Sequence, residues 1–258
     1  MNSSDKLLQP ERLEKIKSLI HTQKSVKVSS LSTQFGVSEN TIRRDLVELE
    51  EIGCCCRTKG GATLIQQGSD RMLFNRRLAH HRGNKRDIAK KAANLITSGS
   101  TIFLDSGTTA VEVAEELVTK QHITVITPSL AAANILADIP EITLILPGGI
   151  VNHASRSLTG KPAEEFFSDI HADILFLAVK AISIKDGLSD HTLAESAVKQ
   201  KMISAAHSVV VLADHSKLDK VALSRICSID AVDTLITDEQ ADPVFIAQLE
   251  RIGIRIII

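Results

Sequence analysis

Residues 29–62 read SSLSTQFGVSENTIRRDLVELEEIGCCCRTKGGA and decide the fold of the first part of this chain. Leu31 and Phe35 stand four positions apart, which places both on one face of a helix. Gly36 follows where a left-handed C-terminal cap is needed. The pattern therefore predicts a short helix over residues 29–35 that ends in a tight turn.

A second helix is predicted directly after this turn. Ser38 can cap its first turn, and apolar side chains at i, i+4 and i+7 predict one buried face: Ile42, Leu46 and Leu49. Gly53 ends the helix, and the run 54–64, with Gly60 and Gly61 inside it, predicts a two-stranded basic hairpin. The whole stretch predicts a winged helix-turn-helix, a fold that places one helix in the major groove of DNA.

Polar and cationic side chains occupy the exposed positions of the second helix. A recognition helix uses its N-terminal residues on base edges and nearby cations on phosphates. The candidates for contact with double-stranded operator DNA are Ser38, Asn40, Thr41, Arg43 and Arg44, with Arg57 and Lys59 in the wing. A basic helix alone also fits a helical hairpin with a solvated charged face, but the full order of helix, turn, helix and hairpin favours the DNA-binding interpretation.

The same stretch resembles a known family. VSENTIRRDLVELEEIG (residues 37–53) followed by RTKGGA (residues 57–62) resembles the N-terminal domain of the DeoR family of bacterial transcriptional regulators. The family usually has His where this chain has Lys59, and an apolar or basic residue at Cys54 and Cys56. The resemblance implies an operator-binding N-terminal domain.

Charge is distributed very unevenly along the chain. The net charge is only −1 over 258 residues. Residues 1–91 hold 18 Lys and Arg against 10 Asp and Glu, a net +8, whereas residues 92–258 hold 12 against 21, a net −9. A basic first third suits contact with phosphates, and an acidic remainder is repelled by the duplex.

Composition excludes several other classes of protein. No run of 18 apolar residues occurs and the N-terminus has no apolar signal core, so we expect a cytoplasmic protein without a membrane partner. Three of the four cysteines are consecutive, at positions 54–56, a spacing that cannot close around one metal ion. We expect no metal and no cofactor, with Cys55 pointing inward. A redox effect on DNA binding through Cys54 or Cys56 is the alternative.

The helical pattern weakens after the wing. Residues 66–85 are polar and basic with few apolar anchors, which predicts a linker, and His80 and His81 are interpreted as solvated linker residues rather than metal ligands. The predicted domains are therefore a winged helix-turn-helix over residues 1–65, a basic linker over 66–85 and a second domain over 86–258.

In the second domain, seven apolar strand patterns alternate with six helix patterns. The strands are TIFLD, ITVIT, ITLIL, DILFLAV, SVVVLAD, DTLITD and IRIII. Near-continuous β-branched strands of this kind are buried on both faces, so the sequence predicts an α/β domain with a mainly parallel sheet.

Ligands of such sheets bind outside the carboxyl ends of the strands. The first strand runs into DSGTT, where small residues and a following helix favour an anion. The polar or glycine residues at strand ends are Asp105, Ser106, Gly107, Thr108, Thr109, Thr127, Gly148, Gly149, Asp214 and Lys217. DSGTT alone also fits a simple helix cap.

The order of these motifs resembles the DeoR-type sensor domain over residues 75–238: FLDSGTT, VIT, LPGG, SLTG, DGLS with Glu195 and Lys199, and LADHSK. That domain is related to sugar-phosphate isomerases, and members of the family bind phosphorylated sugars or sugar derivatives. The resemblance implies that Asp105 to Thr109 hold a phosphate or a sugar hydroxyl and that Gly148 and Gly149 allow close approach. It further implies that Glu195 and Lys199 face the ligand and that Asp214 and Lys217 close the far side.

Two positions depart from the family. Pro128 stands where Asn is common, and Lys180 stands where a small or acidic residue is usual. Lys180 is interpreted either as a further anion contact or as a surface lysine.

Three functions compete. The first is a ligand-responsive repressor of a carbohydrate operon, acting as a homodimer or homotetramer because one winged helix covers only a half-site. The second is a sugar-phosphate isomerase or deaminase with an accessory DNA-binding domain, since carboxylates and lysines serve binding and proton transfer alike. The third is an architectural DNA binder. The helix-turn-helix with a basic linker favours the repressor.

Overall fold

A computed structural model describes residues 9–51, 54–64 and 70–258. The chain divides into an N-terminal unit, Met1–Arg77, and a C-terminal unit, Leu78–Ile258. The predicted end of the second helix at Gly53, and residues 66–69 of the predicted linker, lie outside the described residues.

The N-terminal unit contains a helix-turn-helix followed by a wing. Its elements are α1 (Gln9–Gln23), β1 (Ser25–Lys27), α2 (Val28–Phe35), α3 (Glu39–Glu51), β2 (Cys55–Thr58), β3 (Gly61–Leu64) and α4 (Asp70–Ala79), which crosses the division between the units. Gly36 adopts the predicted left-handed cap, with a φ of 63°. The wing is a three-stranded antiparallel sheet in the order β1-β3-β2, in which β1 pairs with one strand of the predicted hairpin.

The core of this unit follows the predicted pattern. Ile42, Leu46 and Leu49 of α3 are at most 1% exposed and pack with apolar residues of α1, α2 and the wing. Cys55 points into the same core, as predicted. One contact gave no signal in the sequence: Arg12 of α1 donates two hydrogen bonds to the carboxylate of Asp45, at 2.6 and 3.0 Å, and both side chains are buried.

The predicted linker is largely helical. Residues 70–79 form α4, in which Leu73 and Phe74 are buried, and the next helix begins at Arg82, four residues earlier than the pattern indicated. Two adjacent apolar residues are too few for a sequence pattern, which explains why α4 was missed. The domain boundaries remain a prediction.

The C-terminal unit is built on a seven-stranded sheet in which every pairing is parallel. Its strands are β4 (Thr101–Leu104), β5 (Ile123–Ile126), β6 (Ile142–Ile145), β9 (Ala172–Ala178), β12 (Ala206–Leu212), β14 (Thr234–Ile236) and β15 (Arg255–Ile257). These are the seven predicted strands. The small strands are β7 (Ile150–Asn152), β8 (Ser157–Thr159), β10 (Ala181–Ser183), β11 (Gly187–Asp190) and β13 (Ser224–Cys227), which form two antiparallel sheets, β7-β8 and β10-β11-β13.

Helices cover both faces of the large sheet. They are α5 (Arg82–Ala93), α6 (Thr108–Leu117), α7 (Leu130–Leu136), α8 (Lys161–Ser168), α9 (Leu193–Ala205) and α10 (Pro243–Arg251). Alternate strand residues enter two separate cores: Phe103 and Leu175 pack with α8, α9 and α10, whereas Ile102 and Phe176 pack with α5, α6 and α7. This two-sided burial is why the strand patterns are almost wholly apolar.

The strand order, β15-β14-β12-β9-β4-β5-β6, reverses direction between β4 and β9. From β4 the chain first builds outward through β5 and β6, and then returns to build outward through β9, β12, β14 and β15. The carboxyl ends of β4 and β9 therefore form the topological switch point, the place where ligands bind in sheets of this kind.

Within the described residues no helix is both long and apolar enough to cross a bilayer. Across those same residues, no three His, Cys, Asp or Glu side chains are arranged to hold a metal ion.

Candidate DNA-contact and effector sites

The first turn of α3 is fixed by its own hydroxyl groups. Ser38 Oγ accepts the backbone N–H of Thr41 at 3.1 Å, and it lies 2.9 Å from Thr41 Oγ1. Ser38 is therefore the predicted cap. The exposed side of this turn carries Glu39 and Asn40, so the N-terminal end of α3 presents polar groups to solvent.

The two arginines of α3 are in different states. Arg43 donates to Glu39 Oε2 at 2.5 Å and to Asn40 Oδ1 at 3.1 Å, so its guanidinium is held on the helix surface. Arg44 is exposed and makes no side-chain hydrogen bond or ion pair with the described residues. Arg44 is thus the cation of α3 that needs no rearrangement to reach a duplex.

The wing is bonded to the end of α3. Glu50 Oε1 accepts the backbone N–H of Arg57 at 2.7 Å, and Arg76 of α4 donates to that same oxygen at 2.8 Å and to the Arg57 carbonyl at 2.9 Å. Lys59 is exposed at the tip of the hairpin. Because Glu50 and Arg76 are 26 residues apart, no local pattern in the sequence could have indicated this contact.

Two of the three wing cysteines, Cys54 and Cys55, have a raised pKa because they are shielded from water. Burial raises the pKa of Cys55 to about 12, and its thiol is 3.9 Å from the Leu46 carbonyl, so it behaves as a small apolar core residue. Burial also raises the pKa of the half-buried Cys54. Thiolate chemistry is disfavoured at both positions.

The switch point of the large sheet is occupied by a buried ion triad. Lys199 Nζ of α9 lies 2.8 Å from Asp105 Oδ2 and 2.9 Å from Asp190 Oδ2, and it also donates to the Ala178 carbonyl. Asp105 Oδ2 accepts the backbone N–H of Ala178 at 3.0 Å. These contacts tie the ends of β4, β9 and β11 together, and the three charged side chains are at most 5% exposed.

The pKa values of the three groups in the triad are shifted in different directions. Burial raises the pKa of Asp105, against the opposing effect of Lys199. Burial acts to raise the pKa of Asp190 too, but the charges of Lys199 and Lys180 outweigh it and hold that pKa below its ordinary value. Burial acts to lower the pKa of Lys199, yet the two carboxylates raise it above its ordinary value. The two carboxylates therefore favour the charged form of Lys199.

This arrangement differs from the expectation that Lys199 and Glu195 face a ligand. Lys199 is enclosed by its three partners, and Glu195 is hydrogen-bonded to Thr192, the N-cap of α9. Glu195 Oε2 accepts the Thr192 hydroxyl at 3.0 Å, and Thr192 Oγ1 accepts the Glu195 backbone N–H at 3.3 Å. Both residues hold α9 in place, and Asp190, absent from the sequence prediction, completes the triad.

The Thr192 cap leads to a stability prediction. Thr192→Ala removes the cap of the helix that carries Lys199, so we expect the free energy of unfolding to fall by about 1 kcal/mol. Thr192→Ser keeps the hydroxyl and should remain close to wild type. Urea titrations of both variants, followed by circular dichroism, measure the difference; equal stability of the two variants would contradict the assignment.

The loop after β4 is more accessible than the triad beneath it. Gly107 has φ 107° and ψ 172°, a conformation that L side chains rarely adopt, and it precedes the first turn of α6. Gly107, Thr108 and Thr109 are half-buried, whereas Ser106 is buried. The first backbone N–H groups of a helix have no intrahelical partner and carry a partial positive charge, so this turn suits an anion.

Three other predicted site residues follow the strands β5 and β6. Thr127 is fully buried, and its hydroxyl accepts the Ser129 backbone N–H at 3.0 Å. Gly149 is needed for chain packing, because a Cβ there would lie 2.7 Å from the Thr159 carbonyl oxygen. Gly148 is exposed, with Pro162 nearby. All three lie near the carboxyl ends of β5 and β6.

The turn after β12 lies at the carboxyl edge of the same sheet. Asp214 caps a single 3-10 turn, His215–Lys217, by accepting the Ser216 N–H and hydroxyl. Burial acts to raise the pKa of Asp214, but Lys217 and these hydrogen bonds lower it. Lys217 and Lys180 are half-buried cations at this edge. The sequence did not indicate that Asp238 holds His215, with Nδ1 and Oδ1 2.9 Å apart.

Two family models match this chain along most of its length. The model described as the DeoR-like helix-turn-helix domain matches residues 12–68, and the model described as the DeoR C terminal sensor domain matches residues 80–239. The chain belongs to the DeoR family. It is a DNA-binding transcriptional regulator with a sensor domain for a small-molecule effector, as the resemblance implied.

Several DeoR-type regulators are similar over almost their whole length. The HTH-type transcriptional regulator GolR of Listeria innocua is 34% identical over 244 residues, 95% of this chain and 96% of that protein. The HTH-type transcriptional repressor GlcR of Bacillus subtilis is 33% identical and covers 98% of this chain and 97% of its own. The putative aga operon transcriptional repressor of Escherichia coli O157:H7 is 32% identical over 96% and 93%. These DeoR relatives are regulators and not enzymes.

Among solved structures, ribose 5-phosphate isomerase A of Methanocaldococcus jannaschii matches with a TM-score of 0.39 and 21% identity, covering 52% of this chain and 53% of its own. The architecture of this DeoR protein, a helix-turn-helix with a small antiparallel sheet and a parallel α/β domain, is established by its own strand pairing.

Proposed function

We propose that this protein is the repressor of a carbohydrate catabolic operon, acts in the cytoplasm as a homodimer or homotetramer, and leaves its operator when a phosphorylated sugar, amino sugar or sugar alcohol binds. The effector would lie at the switch point, between the β4 loop and the turn after β12. Two of the similar regulators quoted above carry the word repressor in their names, which supports repression over activation.

One observation carries this proposal: the turn at Gly107 begins α6 at the switch point itself. The first backbone N–H groups of a helix lack intrahelical partners, and those of α6 lie at the edge of the sheet where ligands of parallel sheets bind. Lys180 follows β9 and Lys217 follows β12, and both lysines are half-buried. We therefore assign the phosphate to residues 106–109 with Lys180 and Lys217.

The buried carboxylates have a different role in this proposal. Asp105, Asp190 and Lys199 hold the strand ends together, and Glu195 is bonded to the Thr192 cap of α9, so these groups shape the crevice without leaving their partners. Asp214, Thr127, Gly148 and Gly149 position the surrounding loops. The sugar itself would meet the hydroxyl groups of Thr108 and Thr109.

The enzyme alternative is disfavoured by the triad. A catalytic lysine or aspartate must exchange a proton with substrate, but Lys199 is enclosed by two carboxylates and a carbonyl, which keep its ammonium group charged. An architectural DNA binder without an effector is disfavoured by the match to a sensor domain.

A thermal-shift screen tests the effector site. We would assay ribose 5-phosphate, fructose 1-phosphate, glucosamine 6-phosphate and glucitol 6-phosphate, since a ligand at 100 times its dissociation constant adds about 2.7 kcal/mol to stability. For a binder, Lys217→Ala should weaken binding about fivefold, a loss of about 1 kcal/mol that allows for solvent screening of a half-buried cation. Lys220→Ala, three residues away and exposed, is the matched control.

Operator affinity of Lys217→Ala should stay near wild type, so that the variant binds DNA but needs more inducer. If no sugar phosphate shifts the melting temperature, or if Lys220→Ala weakens binding as much as Lys217→Ala, the proposed site is wrong.

A further inference from the structure

A two-residue turn joins α4 to α5, and it contains a histidine in an unusual conformation. His81 has φ 50° and ψ 35° and stands at the N-cap of α5, where its side chain makes no capping hydrogen bond. Residues other than glycine and asparagine rarely adopt this left-handed conformation, and they do so where neighbouring contacts hold them. The contacts of His81 therefore indicate what holds it in this conformation.

Lys85 holds the turn from the α5 side. This lysine is 5% exposed; its Nζ donates to the His80 carbonyl at 2.7 Å, and its backbone N–H donates to the His81 carbonyl at 3.1 Å. The rings of His80 and His81 meet edge to face, with centroids 4.0 Å apart. The path of the chain from α4 into α5 is thus fixed locally.

His81 also contacts the turn that borders the proposed effector crevice. Its ring packs edge to face on His215, with centroids 5.4 Å apart. His215 is fixed by Asp238, whose carboxylate accepts the His215 backbone N–H at 2.9 Å and lies 2.9 Å from its Nδ1. Because His215 begins the turn that includes Lys217, a movement of that turn changes the surface on which the His81 ring packs.

A second contact joins α5 to the other side of the crevice. Glu112 of α6 is 2% exposed and accepts Arg82 Nε at 2.9 Å and Arg86 Nε at 3.3 Å. The helix α6 begins at the Gly107 turn. The N-terminal end of α5 therefore contacts His215, in the turn after β12, and Glu112 of α6, the helix that follows the β4 loop.

The other end of the connection is bonded within the N-terminal unit. Arg76, in the last turn of α4, donates to Glu50 of α3 and to the Arg57 carbonyl in the wing. Arg76 therefore joins α4 to the recognition helix and to the wing. Five residues of chain lie between Arg76 and Arg82.

We infer that the segment from Arg76 to Arg82 couples the two units, with His81 as the positioning residue whose packing on His215 holds the residues that follow α4. This inference rests on the proposed function for its ligand, since the effector would act by displacing the turn His215–Lys217. Coupling between two sites is reciprocal, so DNA bound to the N-terminal unit must act on that turn as well.

Reciprocity allows a test that needs no effector. The full-length protein is bound to a duplex that the wild type enriches from a random pool, and hydrogen exchange is measured by mass spectrometry. We expect DNA to change the exchange of residues 212–218 at least threefold in the wild type. His81→Asn, which tolerates the left-handed turn but lacks the ring, should reduce that change to less than 1.5-fold while DNA affinity stays within about twofold.

The control is His207→Asn, an exposed histidine on β12, which should behave as the wild type. An unchanged exchange rate at residues 212–218 when the wild type binds DNA, or the same change in His81→Asn, would overturn the inference. The screen with sugar phosphates is separate: a failure there removes the proposed effector site but leaves the exchange result to decide the coupling.

Discussion

Lys199→Met is expected to lower the free energy of unfolding by about 3–5 kcal/mol, because it leaves two buried carboxylates without their counter-ion. Asp105 and Asp190 are at most 2% exposed, and Lys199 is the cation within 3 Å of both. Total stabilities of domains are about 5–15 kcal/mol, so the loss is a large fraction. Guanidinium titration of the full-length protein, followed by circular dichroism, measures it.

Two comparisons separate the triad from the general effect of losing a lysine. Lys201→Met changes an exposed lysine of the same helix and should cost less than about 0.5 kcal/mol. The double variant Asp105→Asn with Lys199→Met removes one of the stranded carboxylates and should recover part of the loss. A Lys199→Met protein as stable as Lys201→Met would contradict the structural role of the triad.

The pH dependence of Lys199→Met has a definite sign. Without the lysine, its charge no longer opposes the burial of Asp105, so the folded-state pKa of Asp105 stays above the unfolded value and the penalty is present at neutral pH. The penalty is relieved as the pH falls through that raised pKa, because protonation removes the buried charge. The gap in stability between variant and wild type should therefore narrow as the pH is lowered from neutral.

The large sheet was predictable because its strands carry a strong local signal. Strands such as β9 and β12 are apolar at nearly every position, since alternate residues enter two different cores. The five small strands were not predicted. Each is only three or four residues long, too short for a period of two to be distinguished from a loop.

The candidate sites were predictable in place but not in detail. The rule that parallel sheets bind ligands at their carboxyl ends located the edge that carries Asp105 and Lys217. It could not show that Lys199 turns inward, because its partner Asp105 is 94 positions away in the chain. Tertiary ion pairs of this kind leave no periodic signal, and the same is true of Arg76 with Glu50.

Arg44→Ala is expected to weaken specific DNA binding by about 1–3 kcal/mol, which is about 5- to 150-fold, if the guanidinium makes a bidentate contact with a base. Arg44 is exposed on α3, with no partner among the described residues that it must leave. Arg43→Ala should have a smaller effect, because Arg43 must give up Glu39 and Asn40 before it can reach the duplex.

Charge and geometry can be separated with two further variants. Arg44→Lys keeps the charge but loses the planar fork, so it should restore phosphate attraction without base discrimination. Lys15→Ala removes an exposed cation from α1 and controls for net charge at a fixed salt concentration. Gel-shift titrations on the enriched duplex and on a scrambled duplex give both affinities. If Arg44→Ala binds the enriched duplex as tightly as Lys15→Ala does, α3 does not contact bases through Arg44. If Arg44→Lys still discriminates fully between the two duplexes, the contact of Arg44 is electrostatic. The specificity must then come from Asn40 or Thr41.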